Sequence, residues 1–297
     1  MVNTKPRIAR QSSGKPSPFL KWAGGKRGLM HEILPLVPEF SGRYIEPFLG
    51  AGAVLFAVDF KSALVNDFNE NLIEVYRVIK SQPDELLDEL RTHSNTKEHF
   101  LKVRAWDRSP TFGERSPVER AARFIYLNKT GFNGLYRVNS KGYFNVPFGG
   151  QANPDYIAEE NIRAVSAYLK NVTFTSGDYR KATKQAKPGD FVYLDPPYDP
   201  ISITASFVAY NQSGFGKDDQ EELRDEMARL TRLGVNVLLS NSDTAFIRNL
   251  YSDTNLFRIG DVEVRRAISA KASSRGMIGE VLVDNYVAAA KARGANG

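Results

Sequence analysis

The tetrapeptide Asp195-Pro196-Pro197-Tyr198 directly follows the apolar run Phe191–Leu194. A short apolar run of this kind reads as a buried strand. In open α/β sheets, ligands bind outside the carboxyl ends of the strands. An aspartate and a proline carbonyl supply two acceptors, which match the two N–H bonds of an exocyclic amine. That pairing localises the nitrogen lone pair, otherwise delocalised into the base, and makes the nitrogen a better nucleophile toward a methyl sulfonium. Tyr198 offers a flat face on which a flipped base can stack. The two prolines stiffen the turn and remove two backbone donors, leaving carbonyls to face the site. An ordinary strand-ending turn uses the same residue types.

Three other segments carry suitable chemistry. Glu46-Pro47-Phe48-Leu49-Gly50-Ala51-Gly52 follows the short run Tyr44-Ile45, and its glycines allow close approach of backbone to a ligand. It is neither a Gly-x-Gly-x-x-Gly fingerprint nor a P-loop. Asp67 ends the next strand, Ala63–Val65 plus Asn66, where an acid can take a ribose diol or cap the following helix. Phe19-Leu20-Lys21-Trp22-Ala23-Gly24-Gly25-Lys26 puts two cations, an indole and two glycines close together. Gly177-Asp178-Tyr179 offers a carboxylate and a ring to an adenine, or simply forms a turn.

Positioning these segments requires a sheet. Short apolar runs alternate with helical patterns, which predicts an α/β fold. Strands are expected at Tyr44-Ile45, Ala63–Val65, Val172–Phe174, Phe191–Leu194, Val235–Leu239, Phe257–Val264 and 280–286. Helices are expected through Leu55 and Phe56, through Leu72, Val75, Tyr76 and Ile79, and between the fourth and fifth strands. The last is read as capped by Asp218 with Glu221 in a capping box, buried along Leu223, Met227 and Leu230, and ended by Gly234. From 83 to 168 the pattern turns helical and polar, then rich in Gly, Asn and aromatics. This reads as an insertion into the sheet domain.

A chain of 297 residues with 42% hydrophobic content supports one large α/β domain or two modest ones. No apolar run is long enough to span a bilayer. The polar, basic start is not a secretory signal. The absence of cysteine excludes a disulfide framework and a thiolate metal site, and points to a reducing cytoplasm. His31, His93 and His99 lack metal-ligand spacing and read as solvated surface residues, so no metal is expected. Lys5, Arg7, Arg10, Lys15, Lys21, Lys26 and Arg27 precede the first acid, Glu32. With these seven set aside, 33 of the 40 basic residues face 34 acidic ones, so the net charge of +6 resides in the N-terminal segment. Such an arm suits phosphate backbone; a solubilising tail has the same composition.

Taken together, these segments resemble the D12 class of DNA N6-adenine methyltransferases, and within it the GATC-methylating (Dam and DpnM-like) group. The order matches: Lys-Trp-Ala-Gly-Gly-Lys, Glu-Pro-Phe-Leu-Gly-Ala-Gly, an insert, then Asp-Pro-Pro-Tyr. The likeness extends to 133–137, Asn-Gly-Leu-Tyr-Arg, to 144–149, Phe-Asn-Val-Pro-Phe-Gly, and to Leu239-Ser240-Asn241. It implies a Rossmann-like methyltransferase sheet with helices on both faces and an inserted helical and hairpin target-recognition domain. The expected division is a basic arm over 1–16, a catalytic domain over 17–82 and 169–297, and a recognition insertion over 83–168. It also implies that S-adenosyl-L-methionine is the methyl donor and double-stranded DNA the substrate, that a bacterial or phage-encoded enzyme acts in the cytoplasm, and that a cognate restriction endonuclease is a conceivable partner.

The resemblance further assigns roles. Trp22 and Lys26 line the cofactor pocket, and Glu46, Phe48, Gly50 and Gly52 shape its loop. Asp67 takes the ribose, while Asp178 and Tyr179 take the cofactor adenine. Asp195, Pro196 and Tyr198 hold the target adenine, with Asp195 also near the cofactor. Lys21, Leu135 and Arg137 read GATC base edges, residue types that suit guanine and a thymine methyl. Phe132 and Asn133 lie near the base step opened by flipping, and Pro147 joins the DNA contacts. One departure is clear. Where the group continues past Gly149 with Arg-Tyr and often a lysine, this chain reads Gly150-Gln151-Ala152. That removes a set of phosphate contacts, for which the tract 269–276 is a candidate replacement. Competing readings are transfer to cytosine N4 or an RNA base, and a DNA-binding relative without catalysis.

Overall fold

In the computed structural model, residues 14–200, 214–264 and 278–295 are described. The basic residues Lys5, Arg7 and Arg10 and the tract 269–276 lie outside them. The chain divides into two compact units, Met1–Ala23 with Glu74–Lys170, and Gly24–Ile73 with Asn171–Gly297.

The second unit holds a seven-stranded sheet among the described residues, flanked by helices. Its strands are β1 (Tyr44–Glu46), β2 (Ala63–Asp67), β3 (Val172–Ser176), β4 (Phe191–Leu194), β5 (Asn236–Ser242), β6 (Arg258–Val264) and β7 (Ile278–Asp284). Their order is β3-β2-β1-β4-β5-β7-β6. The first five run parallel, and β7 is antiparallel to both β5 and β6. This order and direction match the Rossmann-like sheet that the sequence resemblance implies. Strands β1, β4 and β5 are buried along their whole length, as central parallel strands covered on both faces must be. The strand order reverses between β1 and β4, so the ligand crevice of such a sheet falls at their carboxyl ends. Glu46 ends β1, and Asp195 follows β4 directly.

Local details depart from the sequence expectations. The stretch 53–57 forms successive turns, not a helix. Phe56 N–H bonds Gly52 O and Val58 N–H bonds Val54 O, but Ala57 bonds back only three residues, to Val54 O, so regular helical pairing is not sustained. The helix between β4 and β5 is Lys217–Arg232 and begins before Asp218. Its cap position is Gly216, whose N–H is taken by Asp219 Oδ2 at 2.6 Å, so the back-reaching acid is Asp219 and not Glu221. The stripe Leu223, Met227 and Leu230 is fully buried as expected. β7 ends at Asp284, and Tyr286 already opens the last helix.

The first unit is helical, centred on the helix Pro117–Thr130, against which Pro83–Thr92 and Lys97–Arg104 pack. Its start is a true capping box: Ser116 Oγ accepts Glu119 N–H, and Glu119 Oε2 accepts Ser116 N–H. His93 is buried here, contrary to the surface reading. Its ring stacks on Tyr126 with centroids 4.6 Å apart, and its Nδ1 lies 2.9 Å from His99 Nε2. The sequence signal misleads because His93 follows a helix end and is covered by residues distant in the chain. Tyr156 donates its hydroxyl to the His93 carbonyl at 2.7 Å, and Trp106 lies against the ring.

Burial, reinforced by His99, pushes the His93 imidazole down to about 4. The unfolded chain binds this proton near pH 6.5, whereas the folded chain resists it until about pH 4. Stability contributed by neutral His93 is therefore complete above pH 6.5 and declines as pH falls toward 4. Denaturant midpoints measured across that window are expected to fall more steeply with acidification in the wild type than in His93→Gln. Equal slopes would show that His93 does not titrate with folding.

Candidate active site

The site of the second unit is built at the ends of β1 to β5. Lys26 leads a short 3-10 turn and is 5% exposed. Its Nζ bonds Asp195 Oδ1 at 2.7 Å and donates to the Gly24 carbonyl at 2.8 Å. Gly24 has φ +74°, a conformation glycine adopts freely. The same ammonium lies 4.6 Å from the centroid of the Tyr198 ring, within cation–π range.

Ser240 Oγ, from β5, also donates to Asp195 Oδ1, at 3.1 Å, and is bonded in turn to the Tyr193 hydroxyl at 3.0 Å. Both contacts fall on Oδ1, and no hydrogen bond among the described residues reaches Oδ2. Burial pushes the Asp195 carboxyl up, and Lys26 pulls it back. Glu46, buried at the end of β1, is pushed well above the usual carboxylate range by burial, although the Tyr44 hydroxyl bonds it at 2.9 Å.

The rest of the Asp195–Asp199 turn is tied down one residue at a time. Gln220 Nε2 donates to the Pro197 carbonyl at 2.8 Å. The expectation that both proline carbonyls face the site therefore fails for Pro197, because Gln220 from the helix Lys217–Arg232 takes it; Pro196 is buried. Tyr198 donates its hydroxyl to Glu280 Oε2 at 2.6 Å. Asp199 N–H bonds Asn241 Oδ1, its carbonyl accepts from Ser242 Oγ, and Oδ2 accepts from Thr244 Oγ1. Asn241 closes the set by donating to Gln220 Oε1 at 3.0 Å. Every partner but Glu280 comes from β5, its sequel or the preceding helix, so the turn is preorganised before any ligand arrives.

The loops after β1, β2 and β3 form the other wall. Asp67 accepts Gly50 N–H at 2.8 Å and Asn69 N–H at 2.9 Å, one on each oxygen. The helix cap is Asn69, whose side chain accepts Leu72 N–H. Gly50 and Gly52 have φ +50° and +69°. Phe48 stacks on Tyr179 at 5.4 Å. Asp178 is paired with Arg180 at 2.6 Å, a pairing that lowers its carboxyl below the ordinary range. Sequence reasoning passed over Asn66 and Phe68. Asn66 is fully buried, and its Nδ2 donates to the carbonyls of Pro47 and Gly177, joining the loops after β1 and β3. Phe68 is 84% exposed beside Asp67. A polar residue ending an apolar strand and an aromatic one outside any apolar stripe were the available signals.

The other predicted residues belong to the first unit. Gly131 bridges Phe148 and Val138 bridges Phe144, so 131–148 folds back on itself as a hairpin. Phe132 N–H bonds the Pro147 carbonyl at 2.9 Å. Asn133 has φ 55°, and Phe132, Leu135 and Arg137 are exposed. Arg137 Nε donates to Asn145 Oδ1 at 2.7 Å. Asn128 brackets Lys21, accepting its N–H and donating to its carbonyl and to that of Gly134. A Cβ on Gly134 would meet Lys21 Cδ at 2.2 Å, so only glycine admits this approach. Trp22 stacks on Tyr136 at 5.6 Å and on Phe124 at 6.2 Å. In the departing segment, Asn95 Nδ2 donates to the Gln151 and Ala152 carbonyls at 2.8 and 3.3 Å.

Comparison with known proteins places this geometry. The family model of the D12 class N6 adenine-specific DNA methyltransferases matches residues 22–268. The chain is 46% identical to the Type II methyltransferase M1.LlaDCHI of Lactococcus lactis subsp. cremoris, over 91% of this chain and 95% of that protein. It is 39% identical to the Type II methyltransferase M.MjaIII of Methanocaldococcus jannaschii, over 91% and 99%. It is 36% identical to the DNA adenine methylase of Vibrio cholerae, over 90% and 95%.

The buried Lys26–Asp195 pair makes a prediction that does not depend on activity. Removing one partner leaves an uncompensated buried charge, so Lys26→Met is expected to cost about 3 kcal/mol of stability. Lys26→Met with Asp195→Asn should recover most of it. A single variant no less stable than the wild type, measured by denaturant unfolding, would contradict the ion pair.

Proposed function

This chain belongs to the D12 class of N6 adenine-specific DNA methyltransferases, and from that premise we propose that it methylates the adenine of GATC, with Asp195, Pro196 and Tyr198 receiving the flipped base. As an adenine-specific DNA methyltransferase it acts on DNA, and its family implies a methyl donor of the S-adenosylmethionine type. The alternatives of cytosine N4 and RNA bases give way to this family. Among the described residues no helix is long and apolar enough to cross a membrane.

The observation that carries the mechanism is the asymmetry of Asp195. Lys26 and Ser240 commit Oδ1, and Oδ2 is left to accept one N–H of the adenine amine. The Pro196 carbonyl accepts the other, and Tyr198 stacks on the ring. Two fixed acceptors localise the N6 lone pair without reorganisation when the bond to carbon forms. The donor, when bound, supplies a methyl group already activated by its sulfonium charge.

The residues present fit such a donor. Glu46 and Asp195 lie near one another with both carboxyls pushed up by desolvation, and a cationic molecule beside them would favour their ionised forms. The Tyr179 hydroxyl is buried without a hydrogen-bond partner among the described residues. We assign Glu46, Phe48, Gly50, Gly52 and Lys26 to the donor pocket of the second unit. Each Asp67 oxygen holds one backbone N–H and keeps a lone pair for a ribose hydroxyl. Asp178 and Tyr179 serve the adenine, with Phe68 as a further wall.

Recognition is assigned to the hairpin. Exposed apolar side chains such as Phe132 and Leu135 favour a partner that covers them. Arg137 suits guanine O6 and N7, Leu135 a thymine methyl, and Lys21 the remaining guanine. Phe132, Asn133 and Pro147 serve the opened base step. Relatives named DNA adenine methylase, at 35–37% identity, support adenine in DNA as the methylated base.

One experiment tests the whole reading. Plasmid treated with the enzyme is challenged with one nuclease blocked by GATC methylation and one that requires it. The wild type should confer resistance to the first and sensitivity to the second. Asp195→Ala should lose about 10²–10³ in rate. Arg137→Ala should stay active and relax its choice at one base pair, by about 1–3 kcal/mol. Methyl incorporation that leaves GATC unprotected would exclude the target, and near-native rates in Asp195→Ala would exclude the mechanism.

A further inference from the structure

Glu280 stands apart from the Asp195–Tyr198 motif. It lies on β7, the antiparallel strand beside β5, in register with Ser242. Its Oε2 takes the Tyr198 hydroxyl at 2.6 Å, the length of a charge-assisted O–H···O⁻ bond. The phenol remains a donor, because burial and the carboxylates of Asp195 and Glu280 push its ionisation far above the ordinary range. Tyr198 is thus held at its outer end by a strand that, among the described residues, supplies no other hydrogen bond to the turn. Near its ring lies the Lys26 ammonium, 4.6 Å from the centroid.

We propose that Glu280 is a positioning residue for methyl transfer, fixing the plane of Tyr198 and enriching its ring in electrons so that it favours the base as that base becomes cationic. The inference rests on the reading of Asp195 and Tyr198 as the base site. The chemistry explains why an electron-rich ring matters. As N6 bonds the methyl carbon, the carbon–sulfur electron pair leaves with sulfur, and the base carries the positive charge until N6 releases a proton to solvent. A phenol donating to a carboxylate has a more negative π face than a free phenol, and such a face attracts cations. Glu280 therefore acts on the developing charge more than on the bound ground state, and its loss should appear in kcat more than in affinity.

The test uses the full-length enzyme and a duplex with adenine or 2-aminopurine at the target position. Glu280→Ala should lower the single-turnover rate about tenfold and Glu280→Gln about threefold, the range of one cation–π contact. Dissociation constants for DNA should change less than twofold. The emission of bound 2-aminopurine should rise in Glu280→Ala, because the flipped base stacks less well. In a Tyr198→Phe background, Glu280→Gln should have no further effect. Wild-type rates in Glu280→Ala would overturn the proposal. So would an undiminished effect of Glu280→Gln in the Tyr198→Phe background, which would place its action on the Asp195 carboxylate. The underlying reading fails separately, if Asp195→Ala and Tyr198→Ala both keep wild-type rates.

Discussion

A buried ammonium bonded to a half-buried carboxylate at the end of β4 is the constraint around which the second unit is arranged. Holding the buried Lys26 against the half-buried Asp195 carries a desolvation cost that only close geometry offsets. The Gly24 carbonyl, the Ser240 hydroxyl and the Tyr198 ring supply the additional partners. Each comes from a different segment, so the pair can form only when β4, β5 and the Gly24–Lys26 turn are all in place. The same pair turns a symmetric carboxylate into a directional one, with one oxygen committed and the other available. Loss of either charge would disturb the fold and the chemistry together.

The strand ends were legible from the residues alone. Asp195, Asp67 and Asp178 each follow an apolar run, where an acid can meet a ligand of the sheet or hold the backbone of the next turn. The buried stripe Leu223, Met227 and Leu230 was legible from its helical spacing. What supports these residues was not legible. Gln220, Asn66 and Glu280 reach their partners through strand order and register, and pairings such as Ser242 with Glu280 leave no trace in local spacing. The turns at 53–57 show the same limit, since an apolar, helix-like pattern there does not sustain regular helical hydrogen bonding. His93 shows it in reverse, as a polar residue buried by distant aromatic rings.

In the first unit, the residues proposed for recognition are held by side-chain bonds to backbone, and Arg137 by its bond to Asn145. Asn128, near the end of a buried helix, bonds both Lys21 and Gly134, and the missing Cβ of Gly134 lets the Lys21 stem lie against the loop. The hairpin thus presents Phe132, Leu135 and Arg137 from a backbone already fixed. The segment Gly150-Gln151-Ala152, where the likeness to the GATC group breaks, has two of its carbonyls turned to Asn95. Its backbone is anchored, while the cations that would grip phosphate are missing. Since phosphate contacts act alike on all sequences, this departure is expected to bear on affinity and salt dependence more than on the choice of site.

The most direct test of the role given to the ion pair is the pH dependence of single-turnover methyl transfer in the wild type and in Lys26→Met. Asp195 must be ionised to accept the amine, so the rate falls as pH drops through its pKa, which Lys26 holds down against burial. Removing the ammonium should move that acidic limb to higher pH, with the loss of rate greatest in acid and partly recovered in alkali. An acidic limb in the same place in both proteins would contradict the claim that Lys26 sets the charge on the accepting oxygen.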